Sequence, residues 1–217
     1  MPAAAPDPLA PVADAVRALT GKPASAEQME QFRRYLDLLL RWNHTHRLTG
    51  LRSADAIARG LFVDSLLFLS QLPPGPLAIA DIGAGAGVPG MPLRIVEPRI
   101  APTLIDSRRK PASFLRALCR ELGTDNVRVL EGRAEQIVVE QPDLMGHFDV
   151  VTARAVGRLD ALLATASKYM RPGGLFVASG PPPGRVEYQA RGGAEWRTVP
   201  FPALGLTRVF LVARKPA

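Results

Sequence analysis

Ten residues, Asp81-Ile82-Gly83-Ala84-Gly85-Ala86-Gly87-Val88-Pro89-Gly90, constrain this chain more than any other stretch of it. They follow the apolar run Leu77 to Ile82 and open a helical pattern, so the backbone must leave a strand, turn sharply and enter a helix within a few positions. Glycine permits such a turn and lets a ligand approach the backbone, and the helix start behind it presents free N–H groups. A nucleotide-like ligand at the carboxyl end of the first strand is the expectation. The spacing leaves the ligand open. Gly83, Gly85 and Gly87 fit the G-x-G-x-G loop of S-adenosylmethionine enzymes, Gly85, Gly87 and Gly90 fit the G-x-G-x-x-G loop of dinucleotide enzymes, and a merely tight turn is the third reading.

The chain around the loop alternates short apolar runs with helical periodicity. Strands are expected at Leu77 to Ile82, Pro102 to Ile105, Val127 to Leu130, Asp149 to Ala153, Leu175 to Ala178, Arg197 to Phe201 and Val209 to Ala213. Helical patterns fall at 90–97, 109–122, 134–140 and 159–169. Such alternation predicts an α/β fold: a mostly parallel, seven-stranded sheet with helices on both faces, its last two strands forming an antiparallel hairpin at one edge. Before it, Ser25 with Gln28 is a capping-box signature for a helix whose apolar positions include Met29, Phe32, Leu36 and Leu39. A second helix is expected from about Ser53 to Leu69, broken by Leu72-Pro73-Pro74-Gly75-Pro76. Residues 1–72 therefore read as a helical N-terminal cap, with 1–12 frayed, and 73–217 as the ligand-binding domain.

Composition sets the outer limits. One cysteine, Cys119, in 217 residues excludes a disulfide framework and a cysteine-cluster zinc site, and suits a reducing cytoplasm. No run reaches the roughly 18 apolar residues of a membrane span, and the first residues lack the pattern of a signal peptide, so a cytoplasmic protein with no membrane partner is expected. The net charge is +7, with 17 basic and 17 acidic side chains in residues 1–150 but 10 and 3 in residues 151–217. A localised basic surplus favours a polyanionic partner; an arginine-rich composition alone is the bland alternative.

Further features cluster at strand ends. Asp106 closes the second strand, 23 residues after Gly83, where a carboxylate can accept both hydroxyl hydrogen bonds of an adenosine ribose or can serve the following helix as its N-cap. Leu130-Glu131-Gly132-Arg133-Ala134-Glu135 offers a loop to border an adenine, Arg154 stands at the cleft mouth after the fourth strand, and Met170-Arg171-Pro172-Gly173-Gly174 links a helix to the fifth strand.

Taken in order, these residues resemble the ribosomal RNA small-subunit methyltransferase G family, also called GidB or RsmG, over about residues 28–180. The specific marks are Trp42-Asn43 with Leu48-Thr49, Asp64-Ser65, the glycine loop with its Pro89-Gly90 ending, Asp106-Ser107 with Lys110, Arg133-Ala134-Glu135 and Ala153-Arg154-Ala155. The resemblance implies a Rossmann-like class I methyltransferase that uses S-adenosylmethionine to methylate N7 of a guanosine in 16S rRNA, guanosine 527 in the family. The RNA would be met naked or in the 30S subunit or its precursor, by a monomer that needs no metal. By motif, Gly83, Gly85, Gly87 and Val88 would contact the cofactor, Asp106 its ribose, and Ala134 and Glu135 its adenine end. Arg154 would lie between cofactor and target base as the catalytic residue, its alternative role being a surface ion pair.

Arg47, Arg158, Arg197 and Arg208 are the candidate RNA contacts. Three positions depart from the family pattern: Arg47 replaces an Asn, Leu61 a His and Ser179 a Lys, the last followed by Pro181-Pro182-Pro183. All three are expected on substrate-facing surfaces and bear on the RNA target. His44, His46 and His147 show no metal-ligand spacing, Cys119 reads as core, and Trp42 as helix packing or base stacking. The competing readings are a methyltransferase of small molecules or proteins, a dinucleotide oxidoreductase, and a ribosome-associated protein that has lost catalysis.

Overall fold

The computed structural model describes residues 6–154, 159–180 and 193–217. Its strands β1 (Leu77–Ile82), β2 (Ile100–Asp106), β3 (Arg128–Glu131), β4 (Phe148–Arg154), β5 (Met170–Ser179), β6 (Ala194–Phe201) and β7 (Leu206–Arg214) form one sheet in the order β3-β2-β1-β4-β5-β7-β6. β1 to β5 run parallel, and β7 lies antiparallel to both β5 and β6. The expected edge hairpin is β6–β7. The chain steps outward from β1 through β2 to β3, then returns to the other side of β1 with β4. That reversal places a crevice outside the carboxyl ends of β1 and β4, the position at which such sheets take ligands.

Helices α5 (Gly90–Val96), α6 (Arg109–Leu122), α7 (Ala134–Glu140) and α8 (Leu159–Tyr169) cover the sheet. The strands are apolar on both faces, as a covered parallel sheet requires. Ala80, Ile82, Val151 and Phe176 pack with Ile137, Val138, Ala166 and Tyr169, while their neighbours Ile79, Val150 and Val177 pack on the other side with Leu67, Phe68 and Leu93. The expected strands and helices lie in place with ends moved by a few residues. The largest change is β5, which begins at Met170; its register with β4 jumps from Phe148↔Met170 to Val150↔Leu175, so the Pro172-Gly173-Gly174 segment bulges from the ladder.

The N-terminal helices are α1 (Ala10–Thr20), α2 (Ala26–His46), α3 (Ala54–Ile57), a π-helical stretch (Ala58–Val63), α4 (Asp64–Leu66) and a 3₁₀ turn (Leu67–Gln71). The capping box of α2 is formed: the Gln28 amide donates to Ser25 Oγ at 3.1 Å and the Ser25 amide to Gln28 Oε1 at 2.8 Å. Fraying over residues 1–12 is corrected from residue 9 onward. Leu9 and Val12 are buried, Asp7 accepts the Leu9 amide at 3.0 Å, and Pro11 sits in the first turn, where its missing N–H costs nothing. The single helix expected over Ser53 to Leu69 is also corrected, to a helix that changes pitch. Ile57, Leu61, Phe62, Leu66 and Phe68 stay buried through the change, so apolar spacing could not reveal it.

Phe32, Tyr35 and Phe62 of these helices share a core with Met91, Phe114 and Leu115 of α5 and α6, so the cap is built into the wall of the ligand domain. Trp42 meets the edge of Phe114 with ring centroids 5.7 Å apart, the helix-packing role. Cys119 is half-buried, and burial raises its thiol pKa, which disfavours the thiolate a nucleophile needs.

Arg47 closes α2 in the left-handed conformation, φ 50° and ψ 53°, its amide bonded to the Asn43 carbonyl at 3.0 Å. Asn tolerates this backbone; an arginine Cβ is crowded in it. Arg47→Gly is expected to raise stability by about 1 kcal/mol, read as a higher urea midpoint at unchanged slope. A lower midpoint would show that the Arg47 side chain outweighs its backbone strain.

Candidate functional site

The glycine loop leaves β1 by donating the amides of Gly83 and Ala84 to the Ile105 carbonyl at 2.8 and 3.0 Å, which ties it to the end of β2. Gly83 has φ +75° and open space where a Cβ would be, so it leaves bare backbone facing the crevice. At Gly87, φ is +91° and a Cβ would lie 2.7 Å from the Tyr35 hydroxyl. That hydroxyl comes from α2 and donates to the Ala86 carbonyl, so the cap grips the loop from above.

Asp81 grips it from below. It is fully buried; its Oδ2 accepts the Gly90 amide at 2.9 Å and its Oδ1 the Thr152 hydroxyl at 3.2 Å. Burial pushes its pKa from 3.8 up to about 7, against the lowering effect of those hydrogen bonds and of Arg154. Asp106 stands at the loop's open edge, 3% exposed. Its Oδ2 accepts the Gly85 amide at 2.9 Å and its Oδ1 the Arg108 amide at 2.9 Å. The N-cap position of α6 is Arg108, so Asp106 is not itself the cap residue. The Arg108 guanidinium folds over the carboxylate at 3.2 and 3.4 Å, long contacts from a side chain that is 66% exposed.

Asp106 and Arg108 face a cleft of about 460 Å³, lined among others by Gly83, Ala134, Glu135 and Leu162. A cleft of that size accommodates a small organic cofactor. Ala134 is buried, and its carbonyl accepts the Tyr169 hydroxyl at 2.7 Å, which holds the wall against α8; Glu135 is exposed beside it. A carboxylate has about four acceptor sites. Backbone amides take two at Asp106, and the remaining two are covered only by the loosely bonded Arg108, so a diol can replace that guanidinium. The donors and acceptors present therefore fit a ribose-bearing cofactor.

The remaining candidates lie apart from this cleft. Val88 is buried in the core shared with the cap. Arg154, at the end of β4, donates Nε to Asp64 Oδ2 at 2.9 Å and Nη2 to the Gly60 carbonyl. Arg208 donates to the same Asp64 oxygen at 3.1 Å. Arg197 is exposed on β6 and pairs with Glu195, Arg47 is exposed at the end of α2, and Arg158 and Pro181-Pro182-Pro183 lie outside the described residues. Leu61 and Ser179 are buried, 5% and 7% exposed, which corrects their expected place on substrate-facing surfaces: apolar and small side chains fill those positions.

The basic surplus is likewise divided. Arg154 and Arg208 meet the cap, whereas Arg171, Arg214 and Lys215 gather at the opposite end of β5, bonded to Asp149, Gly173, Ser167 and Met170. Tyr35, Arg108 and Gly60, which sequence reasoning did not place here, contact the loop, Asp106 and Arg154 respectively.

Sheet order, switch-point cleft and glycine loop define a Rossmann-like class I methyltransferase, the class whose cofactor is S-adenosylmethionine. The fold is similar to that of an S-adenosylmethionine-dependent methyltransferase from Aquifex aeolicus (TM-score 0.54, 15% identity, 73% of this chain and 92% of that one). It is also similar to an O-methyltransferase-like protein from Klebsiella pneumoniae (TM-score 0.54, 20% identity, 84% and 90%).

The family model for rRNA small subunit methyltransferase G, GidB, matches residues 28–180, and the chain belongs to that family. Relatives of that name include one from Lactococcus lactis, 38% identical over 71% of this chain and 65% of its own length. Another, from Streptococcus pyogenes, is 39% identical over 73% of this chain and 67% of its own. The matched region thus spans about two thirds of these curated relatives.

Asp81 supplies a pH test. A carboxyl whose pKa rises on folding stabilises the fold most when both states are protonated, and that contribution is lost as pH rises from about 4 to about 7. Wild type is therefore expected to lose stability relative to Asp81→Asn across that window, by up to about 1.4 kcal/mol per pH unit, and the difference should level off above it. Parallel stability curves in urea titrations from pH 4 to 8 would defeat this assignment.

Proposed function

We propose that the protein transfers the methyl group of S-adenosylmethionine to N7 of a guanosine in 16S rRNA, presented as free RNA or in the 30S subunit or its precursor. The observation that carries this reading is the family match over residues 28–180, which spans the glycine loop, Asp106 and Arg154. No helix among the described residues is long and apolar enough to cross a membrane. Among them no cluster of three or more His, Cys, Asp or Glu could hold a metal. A cytoplasmic monomer, with the cap of residues 1–72 serving the methyltransferase domain of 73–217, belongs to the same proposal.

Bound S-adenosylmethionine supplies an electrophilic methyl group on a sulfonium. The nucleophile needs no base: guanine N7 carries an exposed lone pair and is unprotonated at neutral pH. The protein's task is then to hold the two reactants in line. Asp106 accepts the ribose hydroxyls once Arg108 swings aside, and Gly83, Gly85 and Gly87 supply the loop against which the cofactor rests, with buried Val88 packing behind that loop. Ala134 and Glu135 border the adenine, and Arg154 orients the target base. Arg47, Arg158, Arg197 and Arg208 are assigned to RNA; since the basic surplus divides between two ends of the sheet, net charge adds little to this assignment.

Asp106→Asn is expected to weaken cofactor binding about 10- to 100-fold, the loss of roughly 1.5–3 kcal/mol for hydrogen bonds to a charged group, measured by calorimetry; unchanged affinity would remove Asp106 from the site. Incubating wild type and Arg154→Ala with methyl-labelled cofactor and 30S particles, naked 16S rRNA or no RNA, then mapping the modified base, tests the substrate. RNA-dependent label at a guanine N7, lost in a folded Arg154→Ala, is the expected result. Cofactor binding without RNA label would favour a small-molecule or protein substrate.

A further inference from the structure

Three charged side chains from distant parts of the chain meet where the cap crosses the carboxyl end of the sheet. Asp64 opens α4, and its Oδ2 accepts Arg154 Nε from β4 at 2.9 Å and Arg208 Nη2 from β7 at 3.1 Å. The second arm of Arg154 is fixed by the Gly60 carbonyl inside the π-helical stretch. The cluster is largely withdrawn from water, with side-chain exposures of 14% for Asp64, 18% for Arg154 and 21% for Arg208. It carries two positive charges against one negative, and Arg208 Nε is buried with no hydrogen-bond partner.

An exposed ion pair would contribute little, but this arrangement differs in two respects. Taking one partner from a largely buried ionic cluster leaves uncompensated charge, here two guanidinium groups that repel each other. Sharing a single oxygen also fixes the two donors relative to one another, within about 6 Å by the two bond lengths.

We propose that Asp64 is a positioning residue for methyl transfer. It holds the guanidinium groups of Arg154 and Arg208 side by side, so that the surplus positive charge is presented to an oxygen acceptor of the RNA. The assignment rests on the methyl-transfer reading above. Asp64 touches neither substrate nor cofactor, and it acts through the two arginines.

Asp64→Asn keeps the shape and removes the charge. Cofactor affinity by calorimetry should stay within about twofold of wild type, while single-turnover methylation of 16S rRNA falls at least tenfold. In an Arg208→Ala background the same change should cost less than about threefold, because neighbours that act as a unit are non-additive. The Arg154 Nε–H resonance should exchange slowly in wild type, and should shift and exchange faster in Asp64→Asn; this readout needs no RNA. If Asp64→Asn does not fold, Asp64→Glu, which keeps the charge at a different reach, should fold and methylate more slowly than wild type. Wild-type rates in either folded variant, additive losses in the double variant, or an unmoved Arg154 resonance would overturn the role. A wild-type protein that labels no RNA would instead defeat the functional reading itself.

Discussion

The site depends on a loop that cannot hold its own shape. Between Gly83 and Gly90 the chain takes positive φ at Gly83, Gly85 and Gly87, which regular secondary structure does not sustain. It is held from outside: by the Ile105 carbonyl at the end of β2, by buried Asp81 beneath Gly90, and by the Tyr35 hydroxyl on Ala86. The last of these comes from the cap. Removing the N-terminal helices would therefore take away a hydrogen bond, part of the core and one wall of the loop together, which makes the cap part of what holds the loop in shape.

Much of the fold was readable in advance because its signals are local. Each strand is a short apolar run, each crossover helix has its own periodic face, and α2 carries a capping box. What escaped depends on contacts between distant residues. Tyr35 reads as one more apolar position of a helix until its hydroxyl meets Ala86, 51 residues away. The pitch change at Ala58–Val63 is hidden because burial continues through it. Arg108 reads as a solvated charge at a helix start, yet its guanidinium lies over the Asp106 carboxylate. Leu61 and Ser179 illustrate the converse: as departures from a family pattern they suggested an altered surface, and both are buried.

Charge is where position in the sequence and position in space diverge most. A surplus confined to residues 151–217 invites the picture of one basic face, but sequence proximity along a β-strand separates ends by its whole length. Of the ten residues of β5, the first lies beside Lys215 and the last near the neighbourhood of Arg208, so basic residues close in sequence serve opposite rims of the sheet. Pairing narrows the field further. Arg171 and Arg197 each have a carboxylate partner, and Arg214 and Lys215 bond main-chain carbonyls. Net charge was informative about the chain's composition and much less so about its docking surface.

Three aspartates at the carboxyl end of the sheet divide the work by depth. Asp81, with no exposure, meets only protein donors and carries a raised pKa; its consequence is the shape of the loop. Asp106, at 3%, has two acceptor sites satisfied by backbone amides and two covered by the mostly exposed Arg108 guanidinium at 3.2 and 3.4 Å. Asp64, the least buried of the three at 14%, meets two arginines with a single oxygen and leaves the cluster with net positive charge. Burial thus sorts chemically identical groups into one that fixes backbone, one whose outer side is covered by an exposed guanidinium and one that organises cations.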